Sequence, residues 1–169
     1  MIHFLTKYAT WKNILLLFGL NLIFNLVIFP LANISSSGVL PLDLHFSYSP
    51  DEAYQVLAQF STDELRRYMM TELTVDVFYP VAYALLLSFL LFKLSQKVAI
   101  SMVPIAVLVF DYLENLGIVT MIQYYPQKLS NVATITSLFT SLKWSLVVLS
   151  VILIILFLVK KLFAGSVTK

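Results

Sequence analysis

The chain has 169 residues, a formal net charge of +2, 60% hydrophobic and 12% charged residues, and a mean hydropathy of +0.89. Soluble domains carry about 25% charged residues, so composition excludes an ordinary soluble globular domain, and the small charge offers no surface for nucleic acid. There is no cysteine, and His3 and His45 stand in separate segments, which excludes disulfides, thiol chemistry and a histidine-based metal site; neither a metal nor a cofactor is expected.

Four apolar runs follow one another, near residues 13–30, 71–92, 98–124 and 135–159. Each is long enough to cross a hydrocarbon core of about 30 Å as a helix. The expected fold is all-α: a four-helix transmembrane bundle forming a single integral membrane domain over residues 1–169. The first run has Lys7 and Lys12 ahead of it, like a secretory signal, but it is long and carries Asn21 and Asn25, and no small-residue cleavage site follows. It is therefore expected to stay as a span.

Residues 31–70 form the long connection between spans one and two, too short to bury an independent core. The connection opens on the turn-rich Ser35-Ser36-Ser37-Gly38 and passes through Pro41 to Pro50. Two helix starts follow, Ser49-Pro50-Asp51-Glu52 and Ser61-Thr62-Asp63-Glu64, each a capping-box pattern. The first short helix carries Tyr54, Leu57 and Phe60 on one side, suited to the membrane surface or to the mouth of the bundle. The second is expected to run without interruption into span two.

Basic residues set the expected orientation. Lys7, Lys12, Lys93, Lys97, Lys160, Lys161 and Lys169 gather on one side with no acid among them, while Arg66, Arg67 and Lys128 share the other with Asp43, Asp51, Glu52, Asp63 and Glu64. Both termini are then cytoplasmic and residues 31–70 lie outside, in what is expected to be a bacterial plasma membrane. Trp11 at one end and Tyr124 and Tyr125 at the other suit the two interfaces.

The residues that carry information are the polar ones inside the spans. Asn21 and Asn25 sit one turn apart on the first. Glu72, Asp76, Tyr79 and Tyr83 make a stripe at i, i+4, i+7 and i+11 on the second. Asp111, Glu114 and Asn115 share a face of the third. Lys143 and Trp144 lie on the fourth, with hydroxyls at Ser137, Thr140, Ser141 and Ser145. Measured from the ends of the spans, Asn25, Asp76, Asp111–Asn115 and Lys143 fall in the same outer half, although the chain reverses at every span. A charge at mid-bilayer costs roughly 2.5–3.5 kcal/mol on insertion scales, so these groups are expected to face one another. Intramembrane asparagines and hydroxyls often only join helices, and one Lys143–Asp pair, with Asp76 or Asp111, would do the same. Four acids against one lysine leave charge over. The surplus must be protonated, hydrated or met by something the chain does not supply.

The stretch Glu72 to Ala84, E-L-T-V-D-V-F-Y-P-V-A-Y-A, resembles the second span of the sigma-2 receptor and emopamil-binding protein (EXPERA) superfamily. The long connection after span one is similar too. The resemblance implies a membrane pocket for sterol-like or cationic amphiphilic molecules, with Glu72 as its glutamate; one branch of that family isomerises sterol double bonds by acid–base chemistry. The chain departs from the pattern where it has Asn25 in place of an acid and where Asp111-x-x-Glu114-Asn115 has no clear counterpart. Asp-x-x-Glu-Asn together with Leu-Lys-Trp-Ser also resembles small bacterial four-span membrane proteins.

The leading expectation is an acidic pocket in the outer half of the bundle that binds a small amphipathic or cationic, lipid-like molecule. Asn21, Asn25, Glu72, Asp76, Tyr79, Tyr83, Asp111, Glu114, Asn115, Lys143 and Trp144 are its candidate residues. Membrane lipids are the expected surroundings, nucleic acid is not an expected partner, and a homodimer is compatible with such a chain. A membrane acid–base enzyme, an isomerase or hydrolase acting on a lipid or terpenoid, is the second reading. Its two-aspartate protease variant lacks the Asn-x-x-Asp signatures. A proton- or cation-coupled transporter is the third, and it predicts a polar route to both faces where binding or catalysis predicts a pocket closed on one side.

Overall fold

The computed structural model describes residues 1–35 and 38–166, with side chains as far as Phe163. Ser36 and Ser37 of the turn-rich stretch, and Lys169, lie outside the described residues. Every described element is helical: α1 (Ile2–Tyr8), α2 (Trp11–Ala32), a 3-10 turn (Leu42–Leu44), α3 (Pro50–Leu57), α4 (Thr62–Leu73), α5 (Val75–Ser95), α6 (Val98–Tyr124) and α7 (Ser130–Ser166). Four of them, α2, α5, α6 and α7, are long and apolar enough to cross a membrane. This is the expected four-helix bundle with a helical connection between its first two spans.

Three prolines decide where the spans bend, because each lacks the N–H that its helix would use and leaves a carbonyl four residues earlier free. Ahead of Pro30, α2 opens into a π turn over Phe24–Ile28. Pro80 frees the Asp76 carbonyl, which accepts instead from Asn115 Nδ2 at 3.1 Å, while the nearby Val77 carbonyl accepts from the Tyr112 hydroxyl at 2.7 Å. Near Pro104, α6 is offset at Met102, and the Ser101 carbonyl accepts from the Ser88 hydroxyl at 2.7 Å. At Pro80 and near Pro104 the chain is thus stitched to a neighbouring helix rather than left open.

The second short helix does not run into span two. Thr74, at φ −126° and ψ −75°, breaks the chain between α4 and α5, so Glu72 belongs to α4 and the span itself begins at Val75. A β-branched pair, Thr74-Val75, makes that junction a weak point for helix. The fourth helix is longer than the apolar run that announced it, extending back to Ser130. The amphipathic turn α1, with Leu5 buried and Phe4 against Phe89, packs on the far end of α5.

Around the bundle, α5 is central. The first span packs on α5, whereas α7 packs along α6 and also on α5. The close approach of α6 and α7 rests on Gly117, where an added Cβ would run into the Thr136 side chain. Leu15, Leu16, Phe18, Leu22 and Leu26 on α2, with Ile152, Ile155 and Leu156 on α7, point outward as a lipid-facing surface does.

The connection folds over one end of the bundle, called here the loop end. Both capping boxes form, Ser49 with Glu52 and Ser61 with Glu64. Hydrogen bonds to the Ser49 backbone and side chain hold the exposed Glu52 carboxyl below its ordinary value. Tyr54, Leu57 and Phe60 cover the bundle mouth, packed with Tyr68 on Ile118, Met121, Ile122 and Ala133. Burying each large side chain there contributes about 1.5–3 kcal/mol.

Candidate functional site

Between α2 and α7, with α5 as its floor, runs a cavity of about 620 Å³. Its size lies within the range of small-molecule sites, about 300–1,000 Å³. Eight of the residues expected at a site line it: Asn25, Glu72, Asp76, Tyr79, Tyr83, Asp111, Lys143 and Trp144. Below Tyr83 and Lys143 the walls turn wholly apolar, with Leu86, Leu87, Val147 and Val151. Its roof is the strap that includes Asn33, Ile34 and residues 38–44.

Three expected residues do not line the cavity. Glu114 and Asn115 stand behind its wall, where each holds a lining residue in place. Asn115 donates to the Asp76 carboxylate at 3.2 Å as well as to the Asp76 carbonyl. Glu114, with no exposure at all, pairs with Lys143. This corrects the expectation that Lys143 pairs with Asp76 or Asp111. Those two residues carry shorter side chains, Asp76 on α5 and Asp111 one turn away on α6, and of the three acids Glu114 alone comes within ion-pair distance of Lys143. Asn21 is buried, but its amide returns to the Leu17 carbonyl of its own helix at 2.8 Å. The Asn21 carbonyl in turn accepts from Asn25, whose amide also reaches the Tyr79 hydroxyl at 3.1 Å.

Sequence reasoning missed two residues of the candidate site, Asp43 and Tyr68. Asp43, counted there among the acids of the connection, lines the cavity from above. Its carboxylate accepts from the Tyr68 hydroxyl at 2.7 Å, and that same hydroxyl accepts from the Leu42 N–H at 2.9 Å. The Asp43 carbonyl takes two donors from the fourth span, Lys143 Nζ at 3.2 Å and Trp144 Nε1 at 3.1 Å. The sequence signal was the apolar spacing Leu40, Leu42 and Leu44 around Asp43 inside a connection otherwise rich in turn residues.

The hydroxyl row of α7 proves to be fastening. Ser137 accepts from the Tyr48 N–H at 2.9 Å and Ser141 donates to the Phe46 carbonyl at 3.0 Å, which binds residues 46–48 along the fourth span. Ser145 is exposed and lies outside this row of contacts.

Carboxylates from four elements therefore converge: Asp43 from the strap, Glu72 from α4, Asp76 from α5 and Asp111 from α6. The single lysine at the cavity is already engaged by Glu114. Tyr83 donates to Asp111, and Tyr79 stacks edge-on against Tyr83, with ring centroids 5.2 Å apart. Glu72 is 3% exposed and Asp111 4%, yet Glu72 Oε2 and Asp111 Oδ1 meet no hydrogen-bond donor among the described residues. Glu72 lies outside the spans; burial first, then the Asp43 and Asp76 carboxylates beside it, push its carboxyl well above the ordinary range.

No match is found for this chain among protein-family models, curated proteins or solved structures.

Proposed function

We propose that the protein binds a small cationic amphiphile in this cavity, with the ligand's polar head among Asp43, Glu72, Asp76 and Asp111 and its apolar body between the first and fourth spans. One observation carries the reading: a single 620 Å³ cavity joins an excess of buried carboxylates at one end to purely apolar walls at the other. Charge excess in a medium that penalises unpaired ions favours a cation that supplies what Lys143 does not. Tyr79, Tyr83 and Trp144 offer aromatic faces beside the carboxylates, as cation recognition uses. The resemblance of residues 72–84 to a family that takes such ligands supports the same class.

Trp11 and Trp144 are the only tryptophans, so Trp11→Phe leaves Trp144 as the sole indole reporter. Dodecylamine added to the purified variant in nanodiscs should shift Trp144 emission saturably, whereas dodecanoate should not. An unchanged spectrum for every amine tried, or equal shifts by amine and carboxylate, rejects the reading.

Orientation belongs to the proposal. Segregation of the lysines supports cytoplasmic termini with the loop end outside, so that the cavity opens to the outer leaflet. In this cysteine-free chain, single cysteines at the exposed Gln59 and Gln96 report the two sides. An impermeant thiol reagent on intact cells is expected to label the first and spare the second.

A transport reading draws no support from the cavity, because it ends on Leu86, Leu87, Val147 and Val151 rather than on a polar path. An acid–base enzyme keeps one specific observation in its favour, the hydrogen-bonded Tyr83–Asp111 pair facing the cavity.

A further inference from the structure

The cavity's acids are not gathered at one point. They form a column. Glu72 stands at the loop end on α4. Asp76 follows on the first turn of α5, held by Asn115. Asp111 lies deepest, at the level of Tyr83. From residue 72 to residue 83 a helix rises on the order of 15 Å, and the break at Thr74 lies within that distance. Below Asp111 the walls become aliphatic, at Leu86, Leu87, Val147 and Val151.

Among the carboxylates that line the cavity, two have a buried oxygen that finds no donor, and they stand at the two ends of this column: Glu72 Oε2 at the top and Asp111 Oδ1 at the bottom. The other two carboxylates of the cavity are better supplied: Asp76 accepts from Asn115 and Asp43 from Tyr68. A buried acceptor without a donor costs about 1–3 kcal/mol, and more when it is charged, so a ligand fitted to the column meets both ends. A compact head with one ammonium group reaches one of them. A quaternary ammonium has no N–H to give to either.

We infer that the head recognised here is an extended polyamine-like chain, with at least two N–H-bearing ammonium groups spaced along it, attached to an apolar tail. The inner ammonium donates to Asp111 and the outer to Glu72, and the tail continues between α2 and α7. This rests on the binding proposal above and narrows its ligand class.

The test compares three probes on the purified full chain in nanodiscs by thermal unfolding: N-dodecylspermidine, dodecylamine and dodecyltrimethylammonium. N-dodecylspermidine should stabilise the protein at a concentration roughly tenfold lower than dodecylamine, with the trimethyl compound weakest, since the second ion pair is made by the first probe alone. Glu72→Gln should weaken N-dodecylspermidine by about that tenfold and dodecylamine by much less, so that the two probes come close together. The double change Glu52→Gln with Asp63→Asn, on the exposed connection, should leave the ratio as it was, which separates the column from general attraction of polycations. Equal potency of the polyamine and the monoamine on the unaltered protein overturns the inference while leaving the binding proposal standing. So does a ratio that falls with the connection acids and not with Glu72. No stabilisation by any of the three overturns both.

Discussion

The two ends of the bundle are built from the same four helices by different means. At the loop end, side chains of spans and connection meet through hydrogen bonds and ion pairs: Lys143 and Trp144 on the Asp43 carbonyl, Tyr68 on Leu42 and Asp43, Asn115 on Asp76, Tyr83 on Asp111. At the far end Leu5, Ala9, Ile14, Leu86, Phe89 and Phe92 pack with little polar chemistry beyond the Ser88–Ser101 contact. In a bilayer, apolar packing between helices gains little over contact with lipid tails, so the far end can be specified by shape alone. Polar groups admit few alternative partners, and the loop end can therefore hold a cavity with a fixed lining. The difference teaches that the costly residues are concentrated where a defined hollow has to be kept.

On that contrast, the largest loss of stability comes from breaking the loop end's ion pair. Lys143→Met leaves Glu114, which has no exposure, without its counter-charge and should cost about 3–5 kcal/mol in denaturant unfolding. Adding Glu114→Gln should restore most of that loss, whereas Asp76→Asn or Asp111→Asn in the same background should restore much less. Equal recovery with all three would mean that the acids share Lys143 as a group, and the wall behind the cavity would lose its separate role.

Removing the Tyr68 hydroxyl tests the strap. Tyr68→Phe strands the buried Leu42 N–H and one acceptor of Asp43, at a cost of about 1–3 kcal/mol. Amide hydrogen exchange should quicken over residues 38–44 while residues 86–92 stay protected. Uniform quickening along the chain would show that the two ends are one cooperative unit.

Helix approach is the matching test of shape. Gly117→Ala drives a Cβ into Thr136 and should cost about 1–3 kcal/mol, a loss that Thr136→Ala partly reverses by making room. Failure of the second change to recover anything would point away from close packing of α6 on α7.

Glu72 gives a pH signature. Its carboxyl is raised by burial and by the Asp43 and Asp76 carboxylates, so the folded state holds its proton more tightly than the unfolded chain does. The associated stability is fully present below the usual glutamate value of about 4.3 and is lost as pH rises through the raised folded value. Glu72→Gln should flatten that fall in the ligand-free protein. A cationic ligand should act in the opposite sense and bind more tightly over the same rise, as Glu72 takes up its charge. The smallest effect is expected at the edge of the connection, where Ser49→Ala breaks a capping box and should cost about 1 kcal/mol with no change in ligand binding.

Sequence alone determined the four spans, the side on which the lysines gather, both capping boxes and the acids that had to turn inward. Each follows from something local: an apolar run of span length, a charge that lipid does not accept, or a serine three residues before a glutamate. Only the tertiary structure decided which acid Lys143 meets, because Asp76, Asp111 and Glu114 lie at similar depth and only the packing of the helices brings Glu114 within ion-pair distance. The break at Thr74 was equally hidden, since an apolar run fixes how long a helix is and not where two helices abut. Most of all, Asp43 entered the cavity, held by Tyr68 behind it, from a connection whose periodicity is weak. Their places come from a strap folding back over the bundle mouth, held by contacts between residues 25 to 101 positions apart, and no local pattern along the chain encodes a contact at that distance.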